Sequence, residues 1–204
     1  MQRRDLSKIL LASSVTSALG VGSAQAQTCT APCYAPSAAE ISAGVTPTNL
    51  SYPPGDVRRY GADPTGSADS TAAIQNALNV RQAVYLPAGT YKTTAALTNN
   101  IAKRRIYGDG PAVSVLKPTG PINTLVNTAG LSCVLMSDFG ILGDSTTLDG
   151  IVEASGAAFF ESRFENLDIW VGGRAFYLPG EFNTNSSNPA STASVDWMLI
   201  RKGT

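Results

Sequence analysis

From residue 57 onward the apolar positions fall in short alternating runs separated by Gly, Asn, Asp and Pro. That rhythm predicts strands at 57–60, 83–86, 90–93, 104–107, 113–116, 124–126, 133–136, 139–142, 150–152, 159–160, 164–169 and 175–178. One stretch keeps a different period. Ala73, Ile74, Ala77 and Leu78 fall at i, i+1, i+4 and i+5, a single apolar stripe on a helix that starts at an Asp69 or Ser70 cap and runs to about Asn79. Between the first strand and this helix, Asp63-Pro64-Thr65-Gly66 reads as a turn with proline at its second position. Phe139-Gly140-Ile141 and Leu167-Asp168-Ile169 recur about 28 residues apart, a period in the range of stacked repeats. The turns between strands are of unequal length, which favours a one-dimensional solenoid over a sandwich built from regular hairpins.

Upstream of this pattern the periodicity fades. Residues 27–54 are rich in Ala, Pro, Ser and Thr and read as a linker or extended arm, ended by Tyr52-Pro53-Pro54-Gly55. The first 26 residues have the layout of a signal peptide: Arg3-Arg4-Asp5-Leu6-Ser7-Lys8, a weakly apolar run to Gly22, then Ala24-Gln25-Ala26 before Gln27. The paired arginines resemble a twin-arginine signal, which places the mature protein in a bacterial periplasm or outside the cell. No insertion into a membrane is expected after cleavage, the apolar run being too short and too diluted to span. The β domain then occupies 55–204.

Composition narrows the chemistry. The 204 residues are 43% hydrophobic, enough for one core, and 15 basic residues balance 15 acidic ones. Loss of the leader removes three basic residues and one acidic, leaving a net charge of −2. No field exists to gather a nucleic acid, and none is expected as a partner. The chain has no histidine, so a Ser-His or Cys-His nucleophile is excluded and carboxylates, Lys, Arg or Tyr must do any chemistry. Cys29 and Cys33 could close a small ring in an exported protein, whereas Cys133, inside an apolar run, reads as buried.

Four ordered segments carry a resemblance. Asp56-Val57-Arg58-Arg59-Tyr60-Gly61-Ala62, Asp69 to Leu78, Val84-Tyr85-Leu86-Pro87-Ala88-Gly89-Thr90-Tyr91 and Ile106-Tyr107-Gly108-Asp109-Gly110 resemble the opening of the pectate lyase superfamily domain, in its rhamnogalacturonase and epimerase-like branch, which also occurs in phage tailspike depolymerases. The likeness covers 56 to about 110 closely and continues more weakly to 178. It implies an all-β, right-handed parallel β-helix with a short N-terminal capping helix, and an activity on polysaccharide by hydrolysis or by lyase elimination.

Hydrolysis would need two carboxyl groups facing each other across a sugar. The candidate catalytic residues are Asp138, Glu161, Arg163, Glu165 and Asp168, which lie on or beside strands of neighbouring coils. Stacking would bring their charged groups to one outer surface. The alternative is that they are solvated outer residues of a binding or adhesive solenoid. Tyr107, Trp170 and Tyr177 are candidates for stacking on sugar rings. No cofactor is required; calcium stays open, although Asp144 to Gly150 has neither the spacing nor the acid count of a calcium loop. The last strand, 195–200, runs to the end without a capping element, so the chain reads as the N-terminal part of a longer product.

Overall fold

A computed structural model describes residues 33–128, 130–154, 158–160, 162–178 and 193–202. The chain forms a parallel β-solenoid of about 4 turns. Helix α1 (Ala38–Ser42), a 3-10 helix (Val57–Tyr60), strand β1 (Thr65–Asp69) and helix α2 (Thr71–Val80) build the lower end. Above them the first coil is β2 (Ala83–Leu86), β3 (Gly89–Thr93) and β4 (Leu97–Asn99), and the second is β5 (Arg105–Gly108), β6 (Ser114–Pro118) and β7 (Leu125–Asn127). The third is β8 (Gly130–Ser132), β9 (Leu135–Leu142) and β10 (Ile151–Glu153). The fourth is β11 (Ala158–Phe160), β12 (Ser162–Val171) and β13 (Phe176–Tyr177), and β14 (Ala193–Lys202) stacks on β12.

Among the described residues every pairing between these strands is parallel, and from β2 upward each coil is in register with the one below, while β1 pairs with β3 through a register shift between Thr65 and Asp69. One column runs Ala83, Arg105, Leu135, Arg163; a second runs Thr90, Val115, Gly140, Asp168; a third runs Leu97, Leu125, Ile151, Phe176. The recurrence seen in sequence is this register: Phe139 lies beside Leu167, Gly140 beside Asp168 and Ile141 beside Ile169. Alternate residues of each strand point inward, so Val84, Ile106, Met136 and Phe164 form one interior file and Tyr91, Leu116, Ile141 and Ile169 another, all buried. Such stacking buries each coil's apolar face only against its neighbours, which is why stability grows coil by coil.

The 133–136 and 139–142 runs are one strand, β9, bent at Asp138, and β12 bends in the same way at Asn166. The expected strand at 57–60 is instead a 3-10 helix: Asp56 accepts a hydrogen bond from the Arg58 N–H and Gly61 ends the turn with φ 94. The expected turn at 63–66 leads directly into a strand, since Thr65 and Asp69 pair with Thr90 and Lys92.

Three devices close the lower edge. Strand β1 pairs with β3; Tyr85 of β2 donates its N–H to the Gly55 carbonyl at 2.8 Å; and β4 is met by the side chain of Gln75 from α2. The Gln75 amide accepts from the Thr98 N–H at 2.8 Å and donates to the Thr98 carbonyl at 3.2 Å, in place of a neighbouring strand. The apolar stripe of α2 (Ala73, Ile74, Ala77, Leu78) is buried as the pattern required. Its cap differs in detail: the Asp69 carboxylate accepts from the Thr71 N–H, and the Ser70 hydroxyl accepts instead from the Asp63 N–H.

The described part of the Ala/Pro/Ser/Thr-rich segment, 33–54, is tied to this end rather than extended free of it. Ser37 and Glu40 form a reciprocal capping box on α1. Glu40 and Arg59 are both 0% exposed and paired through both carboxylate oxygens, at 2.6 and 3.0 Å, while the Tyr60 hydroxyl donates to the same carboxylate at 2.8 Å. Arg59 also donates to the carbonyls of Tyr34, Ala35 and Tyr52, so this buried guanidinium is fully engaged. Cys33 is disulfide-bonded, and Cys29, named with it from sequence, lies outside the described residues, as does the leader. Cys133, expected inside, is exposed: it sits at a corner with φ 58 that turns it out of the apolar run. Among the described residues no helix is long and apolar enough to cross a membrane.

Candidate functional site

Two rows of outward side chains run up the sheet formed by β3, β6 and the later halves of β9 and β12. The first holds Thr90, Val115, Gly140 and Asp168. The second, two residues on in each strand, holds Lys92, Lys117, Leu142 and Trp170. Rungs of a sheet are about 4.8 Å apart, so the second row sets two lysines on neighbouring rungs, followed by Leu142 and Trp170. Lys117 is exposed, Leu142 is 39% exposed and Trp170 37%.

A groove of about 200 Å³ lies at the upper part of these rows. Val115, Gly140, Ile141 and Leu142 floor it, Pro111 and Ala112 form one wall, and Asp168 and Trp170 the other. The wall is a tight loop between β5 and β6. The Gly110 N–H donates to the Asp138 carbonyl at 2.8 Å, the Gly110 carbonyl accepts from Val113 and Ser114, and Gly110 has φ 143. The loop settles against the sheet because Gly140 has no Cβ: one added there would collide with the Pro111 carbonyl.

Of the five residues singled out by sequence, Asp168 lines the groove. Asp138 stands at the bend of β9, bonded to Asn166. Arg163 and Glu165 form an ion pair with each other on the adjoining outer face, in register with Leu135 and Ser137. Glu161 lies outside the described residues. The stacking therefore places Asp168 between Gly140 and Leu199, and Glu165 between Ser137 and Asp196 of β14.

The aromatic candidates separate in the same way. Tyr107 is stacked on Tyr85 with centroids 5.1 Å apart, and Arg105 lies over it at 4.3 Å, so its faces are used within the protein. The Tyr85 hydroxyl is in turn held by Asp109 at 2.7 Å, which pushes its pKa up to about 12. Tyr177 is covered by Arg174 at 3.5 Å, itself bound to Asp149 at 2.8 Å. Trp170 has no such covering partner among the side chains the structure describes, and Arg201 of β14 lies in register with it on the next rung.

The 144–150 loop is held by its own first residue. Asp144 accepts hydrogen bonds from the Thr146 hydroxyl and N–H and from Thr147, which keep its carboxyl below the usual range. Its oxygens are turned to that task, and among the described residues no group of three or more acidic or cysteine side chains is placed to hold a metal. Sequence reasoning missed Lys92, Lys117 and Leu142. The signal was present as positions 25 residues apart, the length of a coil, but it is visible only once the register is known.

The segment 56–137, from the 3-10 helix through the first half of β9, matches the family model described as rhamnogalacturonase A/epimerase, pectate lyase-like. The match takes in the loop wall of the groove and both lysines of the outer row, while Asp168 and Trp170 lie beyond it. Among solved structures, the chain is similar to ORF18 of Geobacillus virus E2, with 24% identity and TM-score 0.45 over 57% of this chain and 28% of that one. It is also similar to the pre-mature gene product 12 of bacteriophage phi29, with 15% identity and TM-score 0.49 over 72% of this chain and 23% of that one. A third is the catalytic unit of a thermostable GH87 alpha-1,3-glucanase from Streptomyces thermodiastaticus, with 22% identity and TM-score 0.45 over 74% of this chain and 32% of that one. The chain thus spans between about a quarter and a third of those structures. No curated protein matches it.

Proposed function

We propose that this is an exported, carbohydrate-acting β-helix protein whose described coils hold an acidic polysaccharide along the Lys92–Lys117–Leu142–Trp170 row. The observation that carries the reading is the lysine pair. Like charges directly opposite each other on neighbouring strands are destabilising, and Lys92 and Lys117 are such a pair on an outer face. An anionic chain lying along the solenoid axis relieves that repulsion, while the open face of Trp170 offers a sugar ring an apolar platform. The pectate lyase-like match of 56–137 supports the same substrate class.

In this reading the row positions the polymer, and Asp168 is the group available to a sugar hydroxyl beside Trp170. Bond cleavage, by elimination or hydrolysis, belongs to the whole exported protein. A binding module without cleavage is favoured by one observation: Asp138, Asp149 and Glu165 are each engaged by a neighbouring side chain rather than by one another.

The test is a titration of the secreted protein with polygalacturonate and with a neutral glucan, followed by tryptophan fluorescence, alongside assays for new reducing ends and for unsaturated uronate absorbance. Binding to polygalacturonate supports the reading. Absorbance together with reducing ends marks a lyase, reducing ends alone a hydrolase, and neither a binding module. Failure to bind either polymer overturns it.

A further inference from the structure

Among the described residues two arginines are wholly buried, and they are treated differently. Arg59 spends its Nε and Nη2 edge on the two oxygens of Glu40, in the parallel fork that a guanidinium makes with a carboxylate. Arg104, also 0% exposed, stands immediately before β5 and points into the solenoid in the file that continues through Val134. Its Nη1 donates to the carbonyl of Arg81, the residue that ends α2. The placement is favourable in part, because the C-terminus of a helix attracts a cation. Yet its Nε and Nη2 atoms have no hydrogen-bond partner, and neither has the buried Nε of Arg81. Burial draws the pKa of the Arg104 guanidinium down to about 10.

A buried charge with an unfilled donor edge is costly, and the shape of that edge specifies its complement. We infer that the Nε and Nη2 edge of Arg104 binds a small free carboxylate, of the size of formate or acetate, in the same fork that Glu40 makes on Arg59. Beside it, Arg81 is half-buried and Gln82 exposed. A ligand bound by the folded state alone stabilises it in proportion to the logarithm of its concentration.

The experiment is thermal unfolding of the secreted protein in a series of sodium formate concentrations, with ionic strength held constant by sodium chloride. The midpoint should rise with formate in the wild type and stay flat in Arg104→Lys, which keeps the charge but not the fork. Should that variant fail to fold, saturation transfer from the wild-type protein to 13C-formate gives the same answer, with loss of the signal on adding excess acetate. A crystal grown with formate should show planar density across Nε and Nη2. A midpoint indifferent to formate, ordered water only at both nitrogens, or density continuous with a side chain of the protein itself would each overturn the assignment.

Discussion

The Nδ2 of Asn166 donates a 2.9 Å hydrogen bond to Oδ1 of Asp138 one coil below, and both residues have left-handed backbone, with φ 46 and 60. The two bends are therefore the same bend repeated, and they let one continuous strand serve two faces of the solenoid. Asn and Asp tolerate this conformation better than other side chains, and glycine tolerates it best. Asn166→Gly should stay within about 0.5 kcal/mol of wild type, losing a hydrogen bond and gaining backbone ease, whereas Asn166→Val should cost about 1–3 kcal/mol. Urea unfolding of the two variants checks the difference; equal losses would show that the bend does not need the left-handed residue.

The Glu40–Arg59 pair sets a second expectation. Replacing one member of a buried pair leaves the other uncompensated, so Glu40→Gln should lose about 3–5 kcal/mol by denaturant titration.

The same pair gives the protein a pH dependence with a fixed sign. Burial pushes the Glu40 carboxyl up, but hydrogen bonds from Arg59, Ser37 and Tyr60 together outweigh it and hold the group at about 2, against an ordinary 4.5. A carboxylate depressed on folding contributes stability above its unfolded value and loses it as the pH falls through the folded one. Stability should therefore drop between about pH 4.5 and 2. Asp63, held at about 2 by the N–H groups of Ala68, Thr65 and Ser67 and by the Thr65 hydroxyl, titrates in the same window. The part due to Glu40 is the difference between wild-type and Glu40→Gln acid titrations, and parallel curves would refute it.

These two buried charges also mark where sequence reading stopped. Most strands after residue 83 were legible from alternation, but the three-residue strands Leu97–Asn99 and Gly130–Ser132 are too short to show a period and were missed; the coil period was legible in Phe139-Gly140-Ile141 and Leu167-Asp168-Ile169. Val57-Arg58-Arg59-Tyr60 has a β-like composition, but Arg59 is an inward residue with a carboxylate waiting 19 residues earlier, and no local pattern announces that partner. Residues 65–69 were missed as a strand for the opposite reason: Gly66, Ser67 and Asp69 have turn chemistry, and only the edge of β3 draws them straight. In the candidate site, Asp168 and Trp170 were visible as residue types. Their meeting with Pro111 depends on a glycine at 140, and the lysine row depends on register.

Gly140→Ala should test that dependence. A Cβ there has to displace the Pro111 carbonyl, and overpacking of this kind costs about 1–3 kcal/mol. The loop of Pro111 and Ala112 should shift outward and the groove widen, seen as weaker amide protection at 110–113 by hydrogen exchange. Unchanged exchange would mean that the loop is not seated by that contact.

On the outer row, Trp170→Ala should weaken polygalacturonate binding about tenfold, the order of 1–1.5 kcal/mol for an aromatic platform. Lys117→Ala should weaken it further at low salt than at high salt, since exposed charges are screened over about 10 Å at 0.1 M. A salt-independent loss would argue against a charge contact.

The closed lower end constrains how copies of this protein can meet. Solenoids with bare ends extend into filaments when one molecule's last rung pairs with the next molecule's first, a head-to-tail contact that never closes on itself. Here the backbone beneath β2, β3 and β4 is already occupied by Gly55, by β1 and by the amide of Gln75. A second molecule arriving from below meets side chains only, so no fibre can grow from that face by adding rungs, and symmetric assemblies that use it must be built from surface contacts rather than a shared sheet.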